Sequence, residues 1–198
     1  MSYFPERFST VFNGFQRRLG FPLSRRRGGA AAGRQRQSGR VRHMATLSDV
    51  RFALPPGRWR ADMGRFRVTR WESDAGEQLS LQLRPLTDHP LRRVLDSREK
   101  TAAYFARNFA AVGFKLLACR VGEADGQPAA AVIATPEEAA GQPLPYLGAI
   151  SIPLRRYAFV INVVAASEEN LRQYVEAILP TIKLSAVVKA DQRRRWWR

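Results

Sequence analysis

Residues 157–165 read Tyr-Ala-Phe-Val-Ile-Asn-Val-Val-Ala and run almost directly into a segment where Leu171, Tyr174, Val175, Ile178 and Ile182 recur at helical spacing. A strand so continuously apolar belongs in the middle of a sheet with both faces covered. The helical segment carries one apolar stripe, which has to be laid on another apolar surface. Ser167 is placed to cap this helix, Glu168 and Glu169 complement the positive end of its macrodipole, and Pro180 ends or kinks it. A central strand feeding a packed helix requires a layered domain.

Other segments alternate with period two. Val50–Leu54 reads as a strand, followed by the turn Pro55-Pro-Gly-Arg-Trp59. The segments 66–71 and 78–84 alternate around the polar turn 72–77, so they predict an antiparallel hairpin with Leu79, Leu81 and Leu83 facing the core alongside Phe66 and Val68. A helix is expected after Asp96, with Glu99 completing a capping box, a stripe of Ala102, Phe105, Phe109 and Val112, and Gly113 at its end. Next come strands 114–121 and 128–134 around Asp125-Gly126, a loop over 136–145 with three prolines, and strands 147–154 and 157–165 around Arg155-Arg156. The order of two or three strands, a helix, four strands and a helix is an α+β class: an antiparallel sheet with helices packed on it.

The net charge of +16 is unevenly distributed. Residues 1–44 hold ten arginines against Glu6 alone, residues 45–188 hold 18 basic and 15 acidic side chains, and residues 189–198 hold five basic side chains against Asp191. The basicity therefore sits in two tails around a nearly balanced middle, and like-charged tails are solvated until they meet an anionic surface. The expected organisation is a basic tail or targeting segment over 1–47, a folded domain over 48–186 and a basic tail over 187–198. Phe4, Phe8, Phe12 and Phe15 lie on one helical stripe, followed by Arg25, Arg26 and Arg27. That pattern suits an interfacial amphipathic helix or an organelle-import presequence, and a start extended upstream of Met44 is the third option. At the other end, Arg193, Arg194 and Arg195 adjoin Trp196 and Trp197, which suits lipid headgroups or stacked bases.

Several function classes fall away. Hydrophobic residues at 45% and charged residues at 25% exclude wholesale disorder. No run approaches the ~18 apolar residues of a membrane-spanning helix, and the single Cys119 forms no internal disulfide. Gly28–Gln35 fails as a phosphate-binding loop because Arg34 and Gln35 stand where Lys and Ser or Thr are needed. His89 sits in Asp88-His-Pro90 with no local nucleophile, Cys119 reads as a small buried hydrophobe, and Glu72, Asp74 and Glu77 read as a solvated turn. No cofactor or metal is expected.

The linear order, with Leu54-Pro-Pro-Gly-Arg-Trp59, Asp125-Gly-Gln-Pro-Ala129 and the closing strand and capped helix from Tyr157 to Leu184, resembles the superfamily of PsbP, the extrinsic photosystem subunit, bacterial DcrB and a Ran-binding nuclear import factor. The resemblance covers about residues 48–186. It implies an α/β/α sandwich that binds proteins or stabilises complexes, mostly without catalysis, and some such relatives are chaperones. The expectation is thus a non-catalytic, chaperone-like or complex-assembly module, with Trp59, Trp71 and Tyr146 as its protein-binding anchors and the basic tails facing an anionic partner or membrane surface. The alternatives are a hydrolase or transferase using His89, or a nucleic-acid-associated protein acting through its arginines. The expected location is intracellular, in the cytoplasm or peripheral to a membrane, with organelle import as the alternative and secretion excluded by the lack of an h-region.

Overall fold

The structure, a computed structural model, describes residues 45–62, 68–85, 90–137, 145–154 and 157–193. In chain order the elements are β1 (Val50–Arg51), β2 (Trp59–Asp62), β3 (Val68–Ser73), β4 (Gln78–Pro85), α1 (Pro90–Val94), α2 (Arg98–Ala110), β5 (Phe114–Ala124), β6 (Gln127–Pro136), β7 (Tyr146–Pro153), β8 (Tyr157–Ala165), α3 (Glu168–Ile178), β9 (Lys183–Leu184) and α4 (Ala186–Arg193). Seven strands form one antiparallel sheet in the order β2-β3-β4-β8-β7-β6-β5, and β1 pairs with β9 in a separate ribbon. The fold is therefore α+β with helices packed on the sheet, and β8 lies at its centre as its composition demands.

Register sorts the side chains onto two faces. Leu79, Leu81 and Leu83 of β4 pair with Val163, Ile161 and Phe159 of β8, and these in turn lie beside Gly148, Ile150 and Ile152 of β7. On this face Leu171, Val175 and Ile178 of α3 close the main core. Gly148 sets how close the helix comes: a Cβ there would lie 2.9 Å from Leu171 Cδ1 and 3.1 Å from Val175 Cγ2. Gly148→Ala is expected to cost about 1–3 kcal/mol in urea unfolding, because neither fully packed neighbour has room to retreat. A cost near zero would mean that α3 slides freely on the sheet.

Local chemistry explains the boundaries. Ser167 caps α3 by accepting from Asn170 N at 3.1 Å. The hairpin between β5 and β6 turns on two residues, Asp125 (φ 52°) and Gly126 (φ 75°), the paired left-handed geometry that the Asp-Gly sequence favours.

Four expectations are corrected. The cap of α2 is Ser97, which accepts from Lys100 N, and not Asp96; Glu99 instead accepts from the Ser97 hydroxyl. Val68 pairs with Gln82, so its register position is on the face opposite the leucines, and Thr69 and Trp71 pair with Leu81 and Leu79. Phe66 lies outside the described residues. Glu77 is 6% exposed and not a solvated turn residue. The chain also remains helical past residue 186, because Val188 (3% exposed) fills the core beside the β1–β9 ribbon. Asp49 fastens that ribbon, accepting from Thr46 N at 2.8 Å and from the Ser185 hydroxyl at 2.6 Å.

Candidate functional site

Helix α3 packs on β7 and β8 and to a lesser extent on β6, so its own face of the sheet is open toward β5, while α2 packs on β5. β5 ends the sheet order, so among the described residues its outer edge has no strand partner. A groove of about 650 Å³ follows this edge. Its floor is apolar, with Ala118, Ala131 and Ile133 from the sheet and Val175, Leu179 and Pro180 from the α3 side. Arg98, Arg120 and Arg172 rim it together with Glu123 and Glu176. Glu168 engages Arg172 at 2.5 Å, whereas Arg98 and Arg120 form no salt bridge among the described residues. The floor lies low because β5 and β6 place alanines there, and beyond the register shift between Leu116 and Ala118 the pairing from Ala118 to Ala124 is regular.

Cys119 lines the same groove, and burial pushes its thiol above the ordinary range despite nearby Arg98. A thiol held protonated in this way is a poor nucleophile.

The turn between β3 and β4, away from the β5 edge, holds a buried carboxyl. Glu77 accepts from the Tyr174 hydroxyl at 2.5 Å, from Asn170 Nδ2 at 3.3 Å and from the Ser73 hydroxyl at 3.4 Å. Burial and the hydrogen bond to Glu77 push the Tyr174 phenol up to about 12. Trp59 stands edge-on to Tyr174 with ring centroids 6.0 Å apart and donates its indole N–H to Pro55 O at 3.0 Å. This cluster joins β2, the turn between β3 and β4, and α3. The chemistry it offers is structural, since each polar atom is spent on another.

A second polar file crosses the opposite sheet face. Arg84 donates to Gln82 Oε1 from Nε at 3.1 Å and from Nη2 at 2.8 Å, Gln82 Nε2 donates to Ser80 Oγ at 3.4 Å, and Asn162 Nδ2 reaches the same hydroxyl at 3.5 Å. Burial lowers the Arg84 guanidinium to about 10. Asn162, the lone polar residue inside the apolar run of β8, is thus one end of a file that shares the hydroxyl of Ser80.

Of the anchors expected from sequence, Trp59, Trp71 and Tyr146 are all half-buried against the margin of the main core. Trp71 meets Phe52 edge-on at 5.6 Å. Trp59 and Trp71 lie on β2 and β3, and Tyr146 lies on β7 opposite Ala165. Two strands separate β3 from β7, a span of about 15 Å at the usual inter-strand spacing. Phe4, Phe8, Phe12, Phe15, Arg25, Arg26, Arg27, Arg194, Arg195, Trp196 and Trp197 fall outside the described residues, as do His43 and His89, and Arg193 is the last residue of α4. Among the described residues, no three His, Cys, Asp or Glu side chains come together as a metal site, and no helix is long and apolar enough to cross a membrane. Sequence reasoning missed Arg98, Arg120 and the groove entirely, because the edge position of β5 depends on strand order.

The sequence matches no family model and no curated protein. The structure is similar to the solution structure of cyanobacterial PsbP (CyanoP) from Synechocystis sp. PCC 6803, with a TM-score of 0.52 and 16% sequence identity, covering 79% of this chain and 98% of that one. The chain has the PsbP-like fold.

Proposed function

We propose that the domain is a non-catalytic binding module that holds or assembles a protein partner. The observation that carries this reading is the open, apolar-floored groove beside the unpaired edge of β5. The PsbP-like fold supports it in general terms. The half-exposed rims of Trp59, Trp71 and Tyr146 offer a second, aromatic contact on the same side of the sheet as α3. The buried groups argue for the same class: Glu77 and Tyr174 are tied to each other, and the Cys119 thiol stays protonated. Affinity capture with the full chain, followed by cross-link mapping, tests the module. Cross-links should fall on the groove or the aromatic row, and His89→Ala should leave capture unchanged. Loss of a measured turnover in His89→Ala, with binding intact, would favour an enzyme instead.

The arginine-rich ends add a second part to the proposal, an attraction to an anionic surface. A basic residue near a charged membrane contributes about 1 kcal/mol, and salt screens it. Apolar burial by Phe4, Phe8, Phe12, Phe15, Trp196 and Trp197 is insensitive to salt. The full chain is therefore expected to bind phosphatidylserine-containing vesicles and to be only partly released by high salt. Residues 45–193 alone should bind far less. Near-complete release by salt, with retention on oligonucleotides, would replace the membrane with nucleic acid. No binding to either would remove this part of the proposal.

A further inference from the structure

We infer that the groove takes an extended, acidic protein segment, which adds to the sheet as a strand beside β5. The inference rests on the binding-module reading and names the chemistry of its partner. An edge strand presents a row of backbone N–H and C=O groups that a second chain satisfies by pairing. Among the described residues no strand pairs with this edge of β5; Arg120, Gly122 and Glu123 are exposed on it although α2 packs on the strand, and the stretch from Ala118 to Ala124 is regular enough to pair. The groove runs along that same edge and has lining residues from both sides of it.

Charge selects the segment. Cys119 and Arg120 are neighbours on a strand and so point to opposite faces. Phe109 of α2 packs against Phe114, and pairing with Pro136 and Val132 puts Phe114 and Cys119 on one face, so Arg98 of α2 lies on the face opposite Arg120. Successive residues of an added strand alternate in the same way, so two consecutive acids put one carboxylate toward Arg98 and the other toward Arg120. Beside Arg120, the small side chains of Ala118 and Ala131 leave room for a branched apolar side chain two positions from the acid. Glu123, further along β5, disfavours a longer acidic run. The preferred segment is therefore short and β-prone, with an acidic pair at its centre and apolar residues flanking it.

The test uses the full chain and a fluorescent, amidated peptide of alternating valine and threonine with aspartate-glutamate at its centre. Fluorescence anisotropy should give saturable binding. Arg98→Ser and Arg120→Ser should each weaken it about threefold to fivefold, the span of a partly exposed ion pair. A peptide with lysine-lysine at its centre should bind at least about tenfold more weakly. Amide exchange of residues 118–124 should slow when the acidic peptide is present. Both arginines are exposed, so their replacement leaves the fold intact and a melting curve verifies it. Absence of binding at about millimolar peptide, unchanged affinity in both serine variants, or slowed exchange elsewhere but not in β5 would overturn the inference. A partner still captured by Arg98→Ser/Arg120→Ser would do the same while leaving the module standing; loss of all capture by the unaltered chain would instead remove the module.

Discussion

Glu77→Ala is expected to cost about 1.5–3 kcal/mol of stability, although the residue sits beside a surface turn. Glu77 is 6% exposed and accepts from Tyr174, Asn170 and Ser73, so its removal strands the half-buried Tyr174 phenol, while the exposed Asn170 amide turns to water. The stranded phenol is a partly desolvated donor that loses an ionised acceptor, and such a loss costs about 1.5–3 kcal/mol. Glu77→Gln retains one acceptor oxygen and should lose roughly half as much. Tyr174→Phe removes the shortest bond and should cost about 1.5–3 kcal/mol. Urea unfolding measures all three. The Tyr174 phenol adds an independent readout, because burial and Glu77 raise it from 10.0 to about 12. A raised folded value means that its contribution is complete below pH 10 and is lost as pH rises through 12. In Glu77→Gln the ultraviolet titration of this tyrosine should move back toward the ordinary value. If Glu77→Ala melts with the parent chain, the cluster is decorative.

That cluster also marks the limit of what sequence reveals. The parent hairpin was legible: alternation over 78–84 and a glycine-containing turn identify β3 and β4, and β8 was legible as a central strand from its apolar run. Glu77 reads as one of three acids at a tip because nothing local distinguishes it from Glu72 and Asp74. What buries it is Tyr174, 97 residues away on a helix of known amphipathicity but unknown placement. Asp74 does stay exposed, 3.4 Å from Arg60. The parity of Val68 failed for a similar reason. Alternation says that a strand has two faces, but the hairpin register decides which face meets the leucines, and a one-residue difference reverses the answer.

The groove was less legible still. Lys115, Arg120 and Glu123 on β5 are charges in a strand, a pattern common to edge strands that discourages unwanted pairing. Read that way, they hint at an edge. Yet β5 is the fifth strand of the chain, and only the order β2-β3-β4-β8-β7-β6-β5 places it outermost. That order follows from β8 inserting between β4 and β7, a long-range choice driven by burial of Phe159, Ile161 and Val163. The aromatic anchors illustrate the converse. Tryptophans in a Pro-Gly turn and a hairpin look like recognition residues, while the structure gives their rings to the core margin as well.

The chain end offers the other large effect. A chain ending at Ser185 is expected to lose about 2–4 kcal/mol relative to one ending at Arg193. Val188 is 3% exposed, and burying a valine contributes about 2 kcal/mol. Lys189 Nζ lies 2.5 Å from Asp125 Oδ2, at the tip of the β5–β6 hairpin, and this partly exposed pair adds about 0.5–1 kcal/mol. Asp125 also accepts from Leu184 N at 2.7 Å, so the hairpin tip and the β1–β9 ribbon hold each other. The bond from Lys189, and next the Leu184 amide, keep the Asp125 carboxyl below its ordinary value of 3.8. A depressed folded value gives stability that is fully present above pH 3.8 and drains away as pH falls below that, through the lower folded value. The difference between the parent and Asp125→Asn should therefore be flat near neutrality and shrink in acid, and Lys189→Ala should flatten most of that dependence. Val188→Ala, which leaves the ion pair intact, should lower stability without changing its pH profile. Equal stability of the two chain lengths across the whole range would make residues 186–193 an appendage, and the domain would then close at the β1–β9 ribbon alone.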